Sequence, residues 1–500
     1  MRPETLRRRT TIVALGLIAL LAGAGPAGAG TPRYAASVHP AYRVRTLVSV
    51  GDRLPRTGEP GARFRMVGRP DGLGFDERAG GTARLWMSHE LAVDVSSRPL
   101  PGEPAVRGAF VSAWRLDARG EPVSGDVAFD DVYQDRRRVG PLATEANATP
   151  AFGRFCSGFF AGAEVGFDPP MYLASEEATA PSTFSPLGGQ AVAIYGGEAH
   201  ALSALGHLQR ENAIVQPAPG RRTAIVVLED GAASDSQLYL YLGRKDPDAK
   251  HPLVRNGLIG GHLFVFAAVD PGVVTEGDIS SGTVDGRWVR IPGADLLDDV
   301  GLEEAADAAG ALGFVRLEDG AFPPTAPHDF VFASTGGDEA AGNGLGRLYH
   351  LKLDPRSPRG PAVLRLAYDA DLVVGAGGDG PVSPDNVEVD GGHLFVQEDA
   401  TAAGQTALIA LEREAGMWRF DLVRGPSRTA PDGASAVQVV TLRPPGRDGT
   451  PLPGPGVWES SGMVRGTHGA AFFDVMAHPP TLPPGVGTVE DGQLLLIRRV

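Results

Sequence analysis

The apolar runs in this chain are short, and their length restricts the fold more than any other feature. Most contain four to seven residues rich in Val, Leu, Phe and Tyr, closed by Gly, Pro, Asp or Asn. Clear examples cover residues 224–228, 238–242, 262–267, 329–333, 394–397 and 494–497. Runs of this length between turn residues predict β-strands. Gly and Pro supply 68 and 42 of the 500 residues, which is typical of folds in which many short strands meet many turns. Residues 301–311 are one of the few places with convincing helical periodicity, and we predict a short surface helix there.

A weak repeat relates these strands, because six apolar runs finish on an acidic residue at the same phase. The acidic residues are Glu90, Glu176 (followed by Glu177), Glu229, Glu318, Glu398 and Glu459. They lie about 74 residues apart on average, whereas a four-stranded propeller blade needs about 40 to 50. The pattern predicts an all-β chain that folds as a six-bladed β-propeller with long inter-strand insertions.

The innermost strand of each propeller blade lines a central channel, so acids that recur on those strands should converge on the axis. Six carboxylates packed together need cations to neutralise them. This predicts a metal site at the channel mouth. The alternative is that strands end in turns, where acidic residues are common in any fold.

The N-terminus is typical of an export signal. Four arginines precede the apolar run 12–22, and small residues follow as far as Ala29. We therefore divide the chain into a signal peptide, residues 1–29, and a single propeller domain, residues 30–500, which includes the Pro- and Gly-rich connection 424–455. The apolar run is too short for a membrane anchor, the alternative reading. Arg7-Arg8-Arg9 also leaves the twin-arginine route open.

The negative net charge of the chain indicates which classes of molecule it can bind. Removal of residues 1–29 takes away four arginines and one glutamate and changes the formal net charge from −14 to −17. Such a surface repels nucleic acid and anionic lipid. It leaves many carboxylates for hard cations, and calcium is plentiful outside the cell.

Two further residues suggest chemistry. Cys156 is the only cysteine, so an intrachain disulfide is excluded. A thiolate suits iron or zinc, and a buried free cysteine that packs as a small hydrophobe is the alternative. Arg316 precedes Glu318 by two residues, so on a strand both side chains point to one side. A guanidinium beside a metal-binding carboxylate suits a phosphate, and a plain ion pair is the alternative.

Several familiar signatures are absent from the sequence. His89-Glu90 begins like the helix of a zinc protease, but Val93 stands where the second histidine belongs. The chain has no Gly-x-Ser-x-Gly elbow, Walker loop, Cys-x-x-Cys pair or EF-hand loop. These absences argue against serine esterases, nucleotide-binding enzymes and zinc fingers.

Taken in order, short segments of the chain resemble the calcium-dependent PhoX-type alkaline phosphatases and their relatives. The segments are Ser88-His89-Glu90, Phe155-Cys156-Ser157-Gly158, Ser175-Glu176-Glu177, Glu211-Asn212, Glu229-Asp230, residues 238–243, Arg316-Leu317-Glu318, Ser383-Pro384-Asp385-Asn386, Glu398-Asp399 and residues 458–462. Each segment is weak alone, but together they span nearly all of the chain after the signal peptide.

The resemblance implies an exported six-bladed propeller that binds calcium and iron on its axis and hydrolyses phosphate monoesters. By this resemblance the metal ligands are Cys156, Glu176, Glu229 and Glu318, with Glu177 and Glu398 assigned less directly, and Arg316 grips phosphate. We expect calcium as the cofactor, iron as a second candidate, a small phosphate ester as the substrate and a monomeric protein.

One departure bears on activity. The phosphatases carry a Thr-Pro-Trp-Gly-Thr run between the cysteine and the paired glutamates, and residues 159–174 lack it. Three alternatives therefore stay open beside the phosphatase: a structural calcium plug, a calcium-dependent lactonase or esterase, and a binding module without catalysis.

Overall fold

Strands dominate the computed structural model, which describes residues 33–217, 220–231, 235–279, 282–400, 404–422, 432–442, 458–467, 469–478 and 487–500. The predicted signal peptide, residues 1–29, lies outside the described residues, so the export signal stays a prediction. None of the helices in the described ranges has the length and apolarity of a membrane span.

Six blades, each with four antiparallel strands, form the body of the protein. They are numbered here in chain order and described from the axis outwards. Blade 1 contains Pro70–Glu77, Ala83–His89, Phe110–Leu116 and Pro122–Val127. Blade 2 contains Phe155–Ala161, Met171–Glu176, Ala191–Tyr195 and Glu198–Leu202, extended by Asp131–Gln134 and Arg137–Pro141. Blade 3 contains Arg210–Val215, Arg222–Glu229, Ser236–Arg244 and His262–Ala268.

The other three blades follow the same plan. Blade 4 contains Leu317–Ala321, Asp329–Ser334, Arg347–Lys352 and Ala362–Asp369. Blade 5 contains Pro384–Asp390, His393–Glu398, Gly416–Asp421 and Val437–Leu442. Blade 6 has an interrupted inner strand, Trp458–Glu459 and Met463–Arg465, followed by Ala470–Ala477, Asp491–Arg499 and Tyr42–Ser49.

The six inner strands close a ring. Each one contacts the inner strands of the blades on both sides, and the inner strand of blade 6 contacts that of blade 1. A closed ring of six such sheets is a six-bladed β-propeller, which confirms the predicted fold class.

The chain closes this ring with its N-terminal part. Tyr42–Ser49 pairs with Asp491–Arg499 to form the outer edge of blade 6, and Ala35–Ser37 pairs with Val437–Leu442 in blade 5. Pairing strands from the two ends of the chain covers edges that would otherwise be exposed. The interpretation of 424–455 as a connection is wrong for residues 437–442, which form the fourth strand of blade 5; residues 424–431 and 443–455 lie outside the described residues.

Long insertions separate many strands, as predicted. Thr283–Ile291 pairs with both His262–Ala268 and Ala362–Asp369 and joins blades 3 and 4 at their outer edges. The α-helices in the described ranges are Pro252–Arg255, Asp299–Ala308, Ala370–Gly375 and Gly404–Ala410. Asp299–Ala308 confirms the predicted short helix, and Asp298 caps it by accepting a hydrogen bond from the Gly301 amide at 2.8 Å.

The remaining elements are short and lie between these strands. The two-stranded ladders are Arg53–Pro55 with Arg63–Arg65 and Ser96–Ser97 with Val106–Arg107, and Gly313–Phe314 pairs with the start of Ser236–Arg244. The 3₁₀ turns are Ala79–Gly81, Ala163–Val165, Ser203–Leu205, Glu276–Asp278 and Gly433–Ser435.

The hydrophobic core lies between the blades, in four clusters of buried side chains. A blade packs on neighbours at both faces, so its middle strands are buried on both sides. In Arg222–Glu229, for example, only Arg222 is exposed. This explains why the sequence shows continuous apolar runs instead of the alternation of a one-sided sheet.

Candidate metal centre

An acidic cavity of about 510 Å³ opens at the end of the channel where the inner strands begin. Nine carboxylates, one thiol, three arginines and one histidine line it. These residues are Arg69, Asp71, Glu90, Arg154, Cys156, Glu177, Glu211, Asp230, Arg316, Glu318, Asp385, Asp399, Glu459 and His478. We call this cavity the acidic mouth.

One set of these side chains comes from bulges in the inner strands. In blades 1 to 5 the ladder register shifts just after the first residue of the inner strand. A bulge leaves a residue outside the regular pairing and re-aims its side chain. The residues at these bulges that line the acidic mouth are Asp71, Cys156, Glu211, Glu318 and Asp385.

The chain enters four of these bulges through a left-handed residue. Arg69, Arg154, Arg316 and Ser383 have φ angles of 50°, 43°, 57° and 45°, and each lies two positions before the bulge residue that lines the mouth. Non-glycine residues seldom adopt this conformation, and its repetition at one place in four blades indicates a shared turn. Three of these residues are arginines whose side chains reach the cavity.

A second set follows the second strand of a blade. Glu90, Glu177, Asp230, Asp399 and His478 each come directly after the last residue of a second strand and line the mouth. Blade 4 has the uncharged Thr335 at this position. The two sets together surround the axis with ligand-type side chains from all six blades.

In blades 2, 3 and 5 the residue before these is a glutamate at the end of the second strand, and this glutamate has a different role. The Glu176 carboxylate accepts hydrogen bonds from the amides of Gly153 at 2.9 Å, Phe184 at 2.9 Å and Gln190 at 3.2 Å. Burial raises the pKa of Glu176 to about 7, although these amides oppose the shift. Glu176 therefore holds the backbone that leads into Arg154 instead of facing the cavity.

Glu398 and Glu229 are placed in the same way. Glu398 accepts from the amides of Val382 at 2.8 Å and Gly416 at 2.9 Å and pairs with Arg413 at 2.8 Å. Glu229 accepts from the Gln237 amide at 3.1 Å. Neither lines the acidic mouth.

Blade 4 obtains the same support from an insertion. Its second strand ends in Ser334, which has no carboxylate, and Glu276 enters the space instead. Glu276 accepts a hydrogen bond from the Val315 amide at 2.7 Å, directly before Arg316. The turn that presents the arginine is therefore held by a buried carboxylate, as in blade 2.

The expectation that all six recurring acids sit on innermost strands is therefore wrong. Glu176, Glu229 and Glu398 end second strands and Glu90 follows one, whereas Glu318 and Glu459 belong to inner strands. Of the predicted site residues, the structure brings Cys156, Glu177, Glu318 and Arg316 together at the acidic mouth. It places Glu176, Glu229 and Glu398 behind it.

Sequence reasoning also missed part of the lining. The candidate site residues did not include three acids at the bulges, Asp71, Glu211 and Asp385. They also did not include Arg69 and Arg154, the two other arginines of the mouth. One signal was available: Arg69-x-Asp71, Arg154-x-Cys156 and Arg316-x-Glu318 share one spacing. That pattern marks the left-handed turn and the bulge of three blades.

The ligand atoms form a continuous row across the mouth. Three groups each have their ligand atoms within 4.8 Å of one another: Asp71, Glu90 and Cys156; Cys156, Glu177 and Glu211; Glu211, Glu318 and Asp385. Cys156 and Glu211 belong to two groups each, so the row runs from blade 1 to blade 5. Carboxylate oxygens suit hard cations, and the thiol adds one soft ligand at a shared position.

Ion pairs between partly exposed arginines and buried carboxylates hold several of these acids. Arg154 pairs with Glu90 at 2.6 Å and with Glu177 at 2.5 Å, while Arg316 pairs with Asp230 at 3.0 Å and with Glu318 at 3.2 Å. Three arginines and the protonated His478 cannot neutralise nine carboxylates. The arrangement therefore has excess negative charge in a partly desolvated space, which cations relieve.

Burial, and after it the neighbouring charges, shift the pKa values of several lining residues. Burial and the neighbouring Asp230 raise the pKa of Glu318 well above its ordinary value, and burial raises that of Glu211 to about 8. Burial, Glu177 and Glu90 raise the pKa of the Cys156 thiol. Burial opposes the charge on His478, but its hydrogen bonds to Glu459 and Glu490 outweigh burial and raise its pKa to about 10.

A polar layer closes the bottom of the acidic mouth. Ser157 donates to Glu211, and Asn386 donates to Ser157 Oγ at 2.9 Å and accepts from the Gly462 amide at 3.1 Å. Asn212, which follows Glu211 in the chain, donates a hydrogen bond to Asp319 at 2.7 Å. We call Ser157, Asn212, Asp319 and Asn386 the partition, because they separate the acidic mouth from the rest of the channel.

Comparison with solved structures identifies the class of fold. The chain is similar to Pseudomonas fluorescens PhoX, with a TM-score of 0.63 and 15% identity over 94% of this chain and 97% of that one. At this identity the likeness shows a PhoX-like propeller fold. A luciferin-regenerating enzyme (TM-score 0.34, 10% identity, 90% and 96% coverage) and the Pseudomonas aeruginosa periplasmic gluconolactonase PpgL (0.34, 13%, 80% and 96%) align less well. No family model matches the sequence, and no curated protein matches it.

Proposed function

We propose that the protein is an exported, metal-dependent phosphomonoesterase whose acidic mouth binds calcium and, at Cys156, iron. The observation that carries the proposal is the row of three overlapping ligand groups in which the sole cysteine is shared. A purely structural calcium site needs carboxylates but has no use for a thiol at its centre.

Arg316 supports phosphate as the reacting group. Its Nε and Nη2 pair with Asp230, and Nη2 also lies 3.2 Å from Glu318, so the guanidinium is held rigidly beside predicted metal ligands. These contacts leave Nη1 as the nitrogen that can donate charge-assisted hydrogen bonds to phosphoryl oxygens. The PhoX structure that shares this fold contains vanadate, a transition-state analogue, which is consistent with the same chemistry here.

The residues of the chain define most of the mechanism. Bound metal ions would supply Lewis acidity toward the phosphoryl oxygens and an activated water at neutral pH. Asp71, Glu90, Cys156, Glu177, Glu211, Glu318 and Asp385 would hold them. Arg316 orients the phosphoryl group and stabilises the charge that develops on it. The residues of the partition below Glu211 are buried, so protein side chains bound the site on that side.

Two measurements test the proposal on protein purified from an exporting host. Mass spectrometry should find calcium and iron in the wild type, and the protein should hydrolyse p-nitrophenyl phosphate in calcium. Cys156→Ser should lose the iron and most of the turnover while it keeps calcium, since serine is a far less acidic ligand. Calcium alone without turnover would favour a structural plug instead.

Arg316→Ala separates phosphate binding from metal binding. We expect it to keep the metals but lower kcat/KM for the aryl phosphate by about 100-fold, the usual effect of removing one transition-state donor. Arg365→Ala is the matched control, because Arg365 is exposed on an outer strand of the same blade. Equal rates for the two variants would show that Arg316 has no part in the reaction.

A further inference from the structure

The channel has a second cavity at its opposite end, where the inner strands finish. Its volume is about 620 Å³, and residues from all six inner strands line it. We call this cavity the distal mouth. A volume of this size is typical of small-molecule sites.

The partition divides the two mouths. Consecutive residues at two bulges face opposite ends of the channel: Glu211 and Glu318 line the acidic mouth, while Asn212 and Asp319 line the distal mouth. Asp319 is buried at the floor, where it accepts from Asn212 at 2.7 Å and from the Val387 amide at 3.3 Å. The distal mouth is therefore a separate compartment with its own polar floor.

The walls of the distal mouth are largely apolar. Phe75, Phe159, Ile214, Phe322 and Met463 line it, and they come from five of the six blades. Phe159 and Phe75 are half-buried, so part of each ring remains accessible. Aromatic rings at an accessible wall attract the apolar body of a ligand, and their faces attract cations.

The charge of the distal mouth has one dominant sign. Five lining residues are acidic, namely Asp76, Glu77, Glu164, Asp319 and Glu388, and one, Arg465, is basic. Glu388 is half-buried on the inner strand of blade 5. These acids are spread over the cavity: among the described residues, the groups of three ligand atoms close enough for one metal ion lie elsewhere.

We propose that the distal mouth binds an organic cation with an aromatic or aliphatic body, such as a substituted ammonium ion. Separated carboxylates among aromatic rings fit a diffuse, weakly hydrated cation better than a compact metal ion, which needs several oxygens at one point. Burial raises the pKa of Asp319 to about 7 and that of Glu388 to about 8, so both supply negative charge above about pH 8, and the phenylalanines contact the apolar body. This site is independent of phosphate hydrolysis at the acidic mouth.

Calorimetric titration of the calcium-saturated full chain with benzyltrimethylammonium at about pH 9, where Asp319 and Glu388 are ionised, tests the proposal without any measurement of turnover. We expect saturable one-to-one binding, and no binding of 4-tert-butylbenzoate, an anion of similar shape. Glu388→Gln should weaken the binding at least threefold, and Arg465→Ala should strengthen it at least twofold. Glu304→Gln, which changes an exposed glutamate on the helix Asp299–Ala308, should leave it unchanged.

Glu318→Gln locates the bound cation. Because Glu318 lines only the acidic mouth, this variant should bind benzyltrimethylammonium as the wild type does. Weakening by Glu318→Gln without weakening by Glu388→Gln would place the cation in the acidic mouth and overturn the proposal. Absence of saturable binding, or equal binding of the benzoate, would overturn it as well.

Discussion

Neighbouring acids at one strand end have opposite roles in this protein, and the difference appears only at the residue scale. Glu176 accepts hydrogen bonds from three backbone amides, whereas the next residue, Glu177, lines the acidic mouth and contacts Arg154. Successive residues of an extended chain point to opposite sides. One carboxylate therefore supports the fold, and its neighbour is available to a metal ion.

This contrast predicts different results for two isosteric variants. Glu176→Gln should destabilise the metal-free protein by about 2 to 3 kcal/mol, because an amide nitrogen would then face a buried backbone N–H. Glu177→Gln should change metal-free stability less, because the variant loses the ion pair with Arg154 but also removes a buried carboxylate from beside other acids, and it should weaken calcium binding. Denaturant unfolding in EDTA and calcium titration check the two effects. A larger loss of calcium affinity in Glu176→Gln than in Glu177→Gln would reverse the assignment.

At the scale of elements, the turn into each bulge is the unit that builds the acidic mouth. The turn before Arg316 depends on Glu276, a residue from the insertion Glu276–Asp278. Besides the Val315 amide, Glu276 accepts from Tyr349 at 2.6 Å and from Asn343 at 2.9 Å. An insertion remote in sequence from the blade therefore positions a candidate catalytic side chain.

Glu276→Gln tests this dependence without altering the cavity itself. We expect a stability loss of about 2 kcal/mol, because buried donors lose an ionised acceptor. If phosphate hydrolysis is established, KM for p-nitrophenyl phosphate should also rise as Arg316 loses its fixed orientation, with metal content unchanged. The control is Glu339→Gln, an exposed glutamate near the same insertion. Wild-type stability and KM in Glu276→Gln would show that the turn is held without Glu276.

At the scale of the whole molecule, the propeller brings together charges from all six blades, so cations should control its stability. Burial raises the pKa of Glu211 to about 8 and that of Asp319 to about 7. An acid whose folded-state pKa lies above its unfolded value binds its proton more tightly when folded, so stability falls as pH rises between the two values. Glu459, with a pKa lowered to about 2, contributes its full stabilisation above about pH 5 and does not oppose this trend.

The expected result is a melting temperature in EDTA that falls as pH rises from about 5 to 8. Saturating calcium should raise the melting temperature and flatten this slope, because binding to the folded state adds about 4 kcal/mol at a thousandfold excess over Kd. Thermal unfolding with and without calcium at each pH measures both effects. Identical curves in EDTA and calcium, for protein shown to take up calcium, would contradict the role of cations.

The sequence alone determined the class of fold and the number of blades. Short apolar runs closed by turn residues predicted strands, and six recurring acids predicted six blades, because both patterns arise from local geometry. The recurring acids identified Glu318, the spacing to Glu318 identified Arg316, and the cysteine count identified Cys156, and all three line the acidic mouth. The recurring acids also led to the prediction that Glu176, Glu229 and Glu398 lie on innermost strands, whereas they end second strands.

The tertiary structure decided which acids meet. Asp71 and Asp385 are more than 300 residues apart in the chain, and both line the mouth because the ring is closed by Tyr42–Ser49. Glu176 and Glu177 are adjacent and chemically identical, and the amides of Gly153, Phe184 and Gln190 distinguish the supporting carboxylate from the one that lines the mouth. The bulge in the neighbouring strand sets the direction of a side chain at a strand end. The bulge and the strand end come together only when the two strands pair.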